Sequence, residues 1–370
     1  MLKRSIILMS LIVLACSFCE AQQLKPGFDA SEYKELILVS ARTSANPTYF
    51  NQFPEPAKFR KLYQSPVMGL DNLWDFWSNN EGIAVISIRG TTQKMESWLA
   101  NFYAAMVPAK GTLRFGPTDS FDYQLAENPR AAVHIGWLLA TAYLSKDILP
   151  KLDSVYKTGT RNVIITGHSQ GGAISFLLTA YLYQLQRQQK LPADIRFKTY
   201  CSAAPKPGNL YFAYDYEAMT RDGWAFNVVN SADWVPETPF SIQTIRDFNN
   251  TNPFKNARKM LKKQKFPKNL VLTHVYNRMD KVTDKARRKY EKYLGRYVYK
   301  MTGKYVTGFK APEYFNSMDY VRTGVTVILH ASDEYYKKFA DSDTNVFIHH
   351  LHQPYLYLLN QDYLKTTGSF

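Results

Sequence analysis

The run Gly167-His168-Ser169-Gln170-Gly171-Gly172 follows an apolar segment, Val163-Ile164-Ile165-Thr166, and leads into a helix-like stretch from Ala173 to Gln186. A serine on a tight strand-to-helix turn stands exposed at the carboxyl edge of a sheet, where its hydroxyl can attack a carbonyl carbon. The glycines of G-x-S-x-G remove side chains that would collide with the strand or the helix. Ile174, Leu177, Leu178, Tyr181 and Leu185 recur at spacings of three and four, so the stretch after the turn buries one face. Gln170 and Gly171 then fall at a helix N-terminus, where unpaired N–H groups and the helix dipole favour developing negative charge.

A nucleophilic serine needs a base, and the base needs a carboxylate that fixes its tautomer. In a parallel sheet both are expected just after a strand. Asp233 follows the strand-like Val228-Val229-Asn230 within Ser231-Ala232-Asp233-Trp234-Val235-Pro236. The histidines are His134, His168, His274, His330, His349, His350 and His352, and His168 is pointed away by its place beside the nucleophile. Three of the others lie in Ile348-His349-His350-Leu351-His352-Gln353-Pro354-Tyr355. Proline is favoured at the first position of a helix, so Pro354 predicts a helix start there, with Gln353 as cap and His352 at the end of the loop. His352 is the expected base and His350 the alternate. A metal reading of the three histidines is weaker, because carboxylates are scarce beside them and His349 and His350 point different ways in most backbones. Neither a metal nor a cofactor is expected.

The elements that must position these groups can be read from the same pattern. A helix is expected from about Phe28 to Arg42, with Asp29 or Ser31 able to cap it. Strands are expected at Gly82 to Arg89, Asn162 to Thr166, Arg196 to Cys201, Ala225 to Val229 and Gly324 to Leu329. Between them, Val133 to Leu144 is an apolar helix, and Met95 to Met106 sets Trp98, Leu99, Phe102, Tyr103 and Met106 on one helical stripe. Strands alternating with helices imply a mainly parallel sheet with helices on both faces.

With 370 residues and 45% hydrophobic content, the chain can bury a large core. Lys3-Arg4 followed by the apolar Ile6 to Ala15 is too short to span a bilayer comfortably and reads as an export signal, with cleavage after Ala21. Alternatively, Val13-Leu14-Ala15-Cys16 resembles a lipoprotein box that would leave a lipid anchor on Cys16. Cys16, Cys19 and Cys201 are too few for a disulfide framework or a zinc cluster. From Thr251 to Lys310 there are 18 Lys and Arg against Asp280, Asp284 and Glu291, a net of +15 that equals the formal charge of the whole chain. The remainder is therefore neutral. A charge this local argues against nucleic acid and for a local anionic surface such as phospholipid or polysaccharide, the alternative being a solvated lysine-rich helical face.

Taken together, these residues resemble the class 3 (fungal-type) lipase family of the α/β-hydrolases. Arg89-Gly90-Thr91 with Trp98 resembles the family's oxyanion strand and lid helix, and His134-Ile135-Gly136-Trp137 resembles its H-x-G-aromatic motif. The GHSQGG run, Ala204-Pro205-Lys206-Pro207-Gly208-Asn209 and Asn230 to Pro236 follow in the family's order. His352 with Tyr355 resembles its terminal H-x-x-Y. The resemblance implies an α/β-hydrolase domain over residues 22–370 after a signal of residues 1–21, with a basic helical insertion at about 245–320 before the last strand. It implies Ser169, Asp233 and His352 as a triad, and backbone donors at Thr91 and Gln170 as an oxyanion hole. It also implies a structural His134 and carboxylic-ester hydrolysis, leading to lipids as substrates, with soluble or polysaccharide esters, or non-catalytic surface binding, as alternatives. Trp98, Leu99 and Phe102 are either a lid or ordinary core. The chain departs from the compact family members in that Asp233 and His352 are 119 residues apart, and the surplus coincides with the basic segment.

Overall fold

The computed structural model describes residues 23–44 and 46–364, so the expected export signal, its cleavage site and Cys16 lie outside the described residues. Seven strands form the main sheet: β1 (Arg60–Gln64), β2 (Trp74–Ser78), β3 (Ile83–Ile88), β4 (Asn162–His168), β5 (Arg196–Ser202), β6 (Ala225–Asn230) and β7 (Val325–Leu329), adjacent in that order. The first three are antiparallel neighbours, and β3 through β7 run parallel. The helices used below are α1 (Ala30–Arg42), α2 (Met95–Phe102), α3 (Ile135–Lys157), α4 (Gln170–Arg187), α5 (Leu210–Met219), α6 (Lys268–Glu291) and α7 (His352–Asp362).

A sheet covered on both faces demands strands that are apolar throughout, and β3 and β4 are buried along their whole length. Successive side chains leave opposite faces, so Val163 and Ile165 join the core under α3 and α4, while Ile164 joins the core beneath α1 and α7. This is the α/β-hydrolase fold expected from the pattern. Asp29 caps α1 by accepting from the Ser31 and Glu32 N–H groups.

Three elements differ from the sequence expectation. The helix that begins at Met95 stops at Phe102, and Met106–Pro108 is instead a strand in a small sheet with Ala132–His134, Gly208–Asn209 and Tyr320–Val321. The stretch from Lys110 onward forms a two-stranded hairpin, Lys110–Arg114 with Ser120–Gln124. The helix at the C-terminal end begins at His352, two residues before Pro354. The first N–H groups of a helix have no partner within it, so proline is tolerated anywhere in that turn and does not fix the start.

The turn from β4 into α4 depends on two glycines. A β-carbon on Gly171 would lie 2.2 Å from the Ile88 carbonyl oxygen, and one on Gly167 would lie 2.3 Å from the Gly171 carbonyl carbon. In both positions the obstacle is backbone of the sheet or of the turn itself, which cannot step aside. Gly171→Ala is expected to lower stability by about 3 kcal/mol or more. Gly116→Ala, where an added carbon meets nothing within 4 Å, is expected to change it by no more than about 0.5 kcal/mol in thermal or denaturant unfolding.

Candidate active site

Ser169 sits between β4 and α4 with φ 60° and ψ −129°, a conformation that a non-glycine residue adopts only when its surroundings enforce it. Its N–H donates to the Ser202 carbonyl on β5 (2.9 Å), and its own carbonyl accepts from Ala173 (3.1 Å), which pins the strained residue at both ends. The strand before Thr91 arrives beside it: a β-carbon on Gly90 would stand 3.6 Å from that of Ser169. Gln170 opens α4, so its N–H belongs to the first turn, which lacks intrahelical acceptors.

The Thr91 loop is held from two sides. Asp71 accepts from the Thr92 hydroxyl (2.6 Å) and the Lys94 ammonium (2.9 Å) and pairs with Arg89 (3.2 Å). Burial alone would raise the Asp71 carboxyl, but those donors and charges hold it below the ordinary range. On the other side, Asn101 donates to the Thr91 hydroxyl oxygen at 2.8 Å, and that hydroxyl donates to Gln170 Oε1 at 3.4 Å. Neither Asp71 nor Asn101 stood out in the sequence, because each acts through residues distant along the chain.

Asp233 follows β6, as strand order required, and is almost fully buried. Its Oδ2 accepts from His350 Nδ1 at 2.7 Å and from the Tyr355 hydroxyl at 2.8 Å, while Oδ1 accepts from the Val235 N–H at 3.0 Å. The residue paired with Asp233 is thus His350, the alternate, and not the expected His352. His352 lies in the first turn of α7, buried between Tyr49 (Nδ1 to the hydroxyl, 2.8 Å) and Ser40 (Nε2 to the hydroxyl, 3.2 Å). The earlier start of α7 carries His352 into the helix and leaves His350 on the loop. The Tyr49 hydroxyl also accepts from the His352 N–H (3.1 Å). Burial pushes the His352 imidazole down to about 3. His349 points elsewhere again, to Tyr335 (2.8 Å) and Asp341 (3.0 Å).

Contrary to the expectation that its place beside the nucleophile points it away, His168 reaches the His350 loop. Its Nε2 lies 2.6 Å from the His350 carbonyl oxygen, which can only accept, so Nε2 carries the proton and Nδ1 accepts from the Ser202 hydroxyl (3.0 Å). Ser202 in turn accepts from Tyr33 (2.6 Å). Burial, followed by the nearby His352 and His350, lowers the His168 imidazole well below its ordinary value. Asn230 adds a second anchor by donating to the His349 carbonyl at 2.9 Å. His134, by contrast, caps α3 through the Trp137 N–H and stacks on Trp137 with ring centres 3.6 Å apart.

Around these polar groups runs an aromatic rim. Trp98 stacks on Phe102 (5.9 Å between ring centres) and meets Phe347 (6.2 Å), which in turn meets Trp234 (5.5 Å) and His350 (5.9 Å). The expected stripe divides: Leu99, Tyr103 and Met106 are core, Phe102 is exposed and Trp98 is half-buried at the rim.

The strand order and the elbow define the α/β-hydrolase fold. Residues 85–243 match the model of the class 3 lipase family. A "Phospholipase A1-II 6" from Oryza sativa subsp. japonica is 27% identical over 177 residues, which cover 42% of this chain and 40% of that protein. A "Secreted mono- and diacylglycerol lipase 1" from Fusarium solani is 28% identical over 157 residues, covering 42% and 39%. The chain thus spans about two fifths of the length of these curated relatives. Among solved structures, lipase II from Rhizopus niveus aligns with a TM-score of 0.42 at 19% identity, covering 57% of this chain and 74% of that one. Lip2 lipase from Yarrowia lipolytica aligns with a TM-score of 0.43 at 17% identity, covering 59% and 78%.

His134 and His352 are both held to about 3 by burial, against 6.5 for the free side chain. Between those values the unfolded chain binds protons that the folded chain refuses, so stability falls as pH falls from about 6.5 toward 3, by up to about 1.4 kcal/mol per pH unit for each imidazole. Unfolding measured from pH 7.5 down to 4.5 is expected to show this loss, and His352→Gln to flatten the slope.

Proposed function

We propose that this chain is a serine carboxylic-ester hydrolase that acts on lipid esters, acylglycerols or phospholipids, through Ser169, His350 and Asp233. The observation that carries the reading is the buried Asp233–His350 hydrogen bond, on a loop whose His350 carbonyl is held by His168, the chain neighbour of a serine at positive φ. Because Nδ1 is committed to Asp233, Nε2 is the nitrogen of His350 that accepts the Ser169 proton as the hydroxyl oxygen bonds to the ester carbonyl carbon. The resulting oxyanion is received by N–H groups of Thr91 and Gln170, each worth roughly 3 kcal/mol in the transition state. Asn101 donates to Thr91 Oγ1, which leaves the hydroxyl proton free to turn from Gln170 Oε1 toward the oxyanion. Collapse breaks the bond to the alcohol, which takes the proton from His350, and water repeats the sequence to release the acid.

Lipid is favoured over a small soluble ester by the rim of Trp98, Phe102, Phe347 and Trp234, an apolar border suited to an acyl chain. The basic segment, residues 251–310, brings the enzyme to an anionic lipid surface, and residues 1–21 direct export.

Ser169→Ala and His350→Ala are each expected to lower ester turnover by a factor of about 10⁴ or more, while Ser169→Ala retains its melting temperature. His352→Gln is expected to keep kcat within about tenfold of the parent, because it touches the site only through packing. Equal loss of turnover in His350→Ala and His352→Gln would remove the assignment of the base. Covalent labelling by a fluorophosphonate is expected at Ser169 and to vanish in His350→Ala. Rates on esters of rising chain length, followed through their solubility limits, separate lipids from soluble esters: a jump at the limit is expected.

A further inference from the structure

Residues 251–310 fold back on the domain as a helical arm whose main element, α6, is amphipathic in the reverse sense of a surface helix. The polar side faces inward. Asp284 and Arg287 are buried, and Asn269, Thr273, Asn277, Asp280 and Thr283 are half-buried. The apolar side faces out: Val271, Val275, Met279 and Val282, at spacings of four, four and three, are 60%, 53%, 67% and 64% exposed.

Charge is sorted in the same way. All three acidic side chains of the segment are turned into ion pairs: Asp280 with Arg258 (2.5 Å), Asp284 with Arg246, Arg287 (3.4 Å) and Arg288 (2.6 Å), and Glu291 with Arg287 (2.8 Å) and Arg296 (3.1 Å). On the outer side Lys268, Arg278, Lys281 and Lys285 are exposed beside the apolar stripe. The preceding turn continues the pattern, with Met260 and Phe266 exposed among Lys259, Lys262, Lys263 and Lys265. A face that offers aliphatic side chains to solvent, flanked by cations alone, matches an anionic bilayer, with apolar groups below and phosphate above. Lysine stems lie along the acyl boundary and lift their charges to the headgroups.

We propose that the outer face of α6 with the Met260–Phe266 turn is a membrane-docking element, which lies in the plane of an anionic phospholipid surface with Val271, Val275, Met279 and Val282 inserted. This rests on the reading of the chain as a lipid-ester hydrolase only for its purpose, since docking itself needs no turnover. The arm is also fastened near the site. Val298–Thr302 packs against α2, the Ala105 N–H donates to the Leu294 carbonyl at 3.2 Å, and a β-carbon on Gly295 would come within 2.9 Å of Ala105 Cβ. The docking face therefore belongs to the same packed unit as the helix that carries Trp98 and Phe102.

The test is co-sedimentation of the full exported chain bearing Ser169→Ala with vesicles of phosphatidylcholine alone or mixed with phosphatidylglycerol, at low and high salt. Expected is binding to the anionic vesicles that weakens with salt, and at least about tenfold weaker binding when Val271→Asn, Val275→Asn and Met279→Asn are combined. Combining Lys268→Glu, Lys281→Glu and Lys285→Glu is expected to abolish the preference for anionic vesicles. With Ser169 intact, both sets are expected to keep turnover of a short soluble ester, which shows that the fold is undisturbed. Equal binding to both vesicle types, undiminished binding of the apolar set, or a dimer that the apolar set dissolves in the absence of vesicle binding would each overturn the proposal. Loss of soluble-ester turnover in the parent chain would instead count against the hydrolase reading and leave the docking result standing.

Discussion

The hydrogen bond of 2.7 Å between Asp233 and His350 joins the end of β6 to a loop that the chain reaches only after the basic arm, β7 and a further helix have been laid down. Its partners show how that join is kept. The carboxylate also accepts from Tyr355 and the Val235 N–H, so one buried anion ties the β6 turn, the histidine loop and α7. Burying a charge is tolerated only when its lone pairs are met, and here three donors meet them. From the opposite side His168 holds the His350 carbonyl and Asn230 the His349 carbonyl. The loop is thereby fixed through its backbone, and the imidazole is left to the carboxylate.

The same arrangement makes Ser169 and the histidine loop mechanically continuous. Tyr33, Ser202 and His168 form a chain whose donor direction is forced by the carbonyl at its end, and Ser202 also supplies the backbone acceptor for the Ser169 N–H. A displacement of β5 would therefore reach the nucleophile and the His350 loop together. Neutral imidazoles serve this purpose because they hold one donor and one acceptor in fixed places, and the burial that keeps His168 and His352 neutral preserves that pattern.

The elbow and the strands were legible because steric need writes them locally. Gly167 and Gly171 face backbone at close range, and the alternation at Val163, Ile164 and Ile165 is the register of a sheet covered on both sides. The choice among histidines was not legible, since it turned on where α7 begins. Proline is tolerated throughout a first helical turn, and an offset of two residues exchanges the buried His352 for His350. Asp71, Asn101 and His168 left no local mark, as their roles rest on partners supplied by other elements. The stripe at Met95 to Met106 misled for a different reason. Side chains buried on a helix and on the strand that follows it can fall at helical spacing by coincidence, so Met106 is core without being helical.

Composition showed a charged segment, but only the fold shows which way it faces. A helix that spends its acidic residues on ion pairs adds an electrostatic anchor to the packing of Tyr290 against Met106, Ala132, Met318 and Tyr320. Such an anchor is weaker than a packed core in water, because exposed arginines retain much of their hydration and are screened by salt. Its tolerance depends on several pairs converging on Asp284, two of them from within α6, where holding one side chain already orders its neighbours. The aliphatic face of Val271, Val275, Met279 and Val282 is left in solvent. The lysines beside it leave the face complementary to an anionic surface. The arm, its polarity inverted, is joined through Leu294 and Ala105 to the helix at the rim of the site.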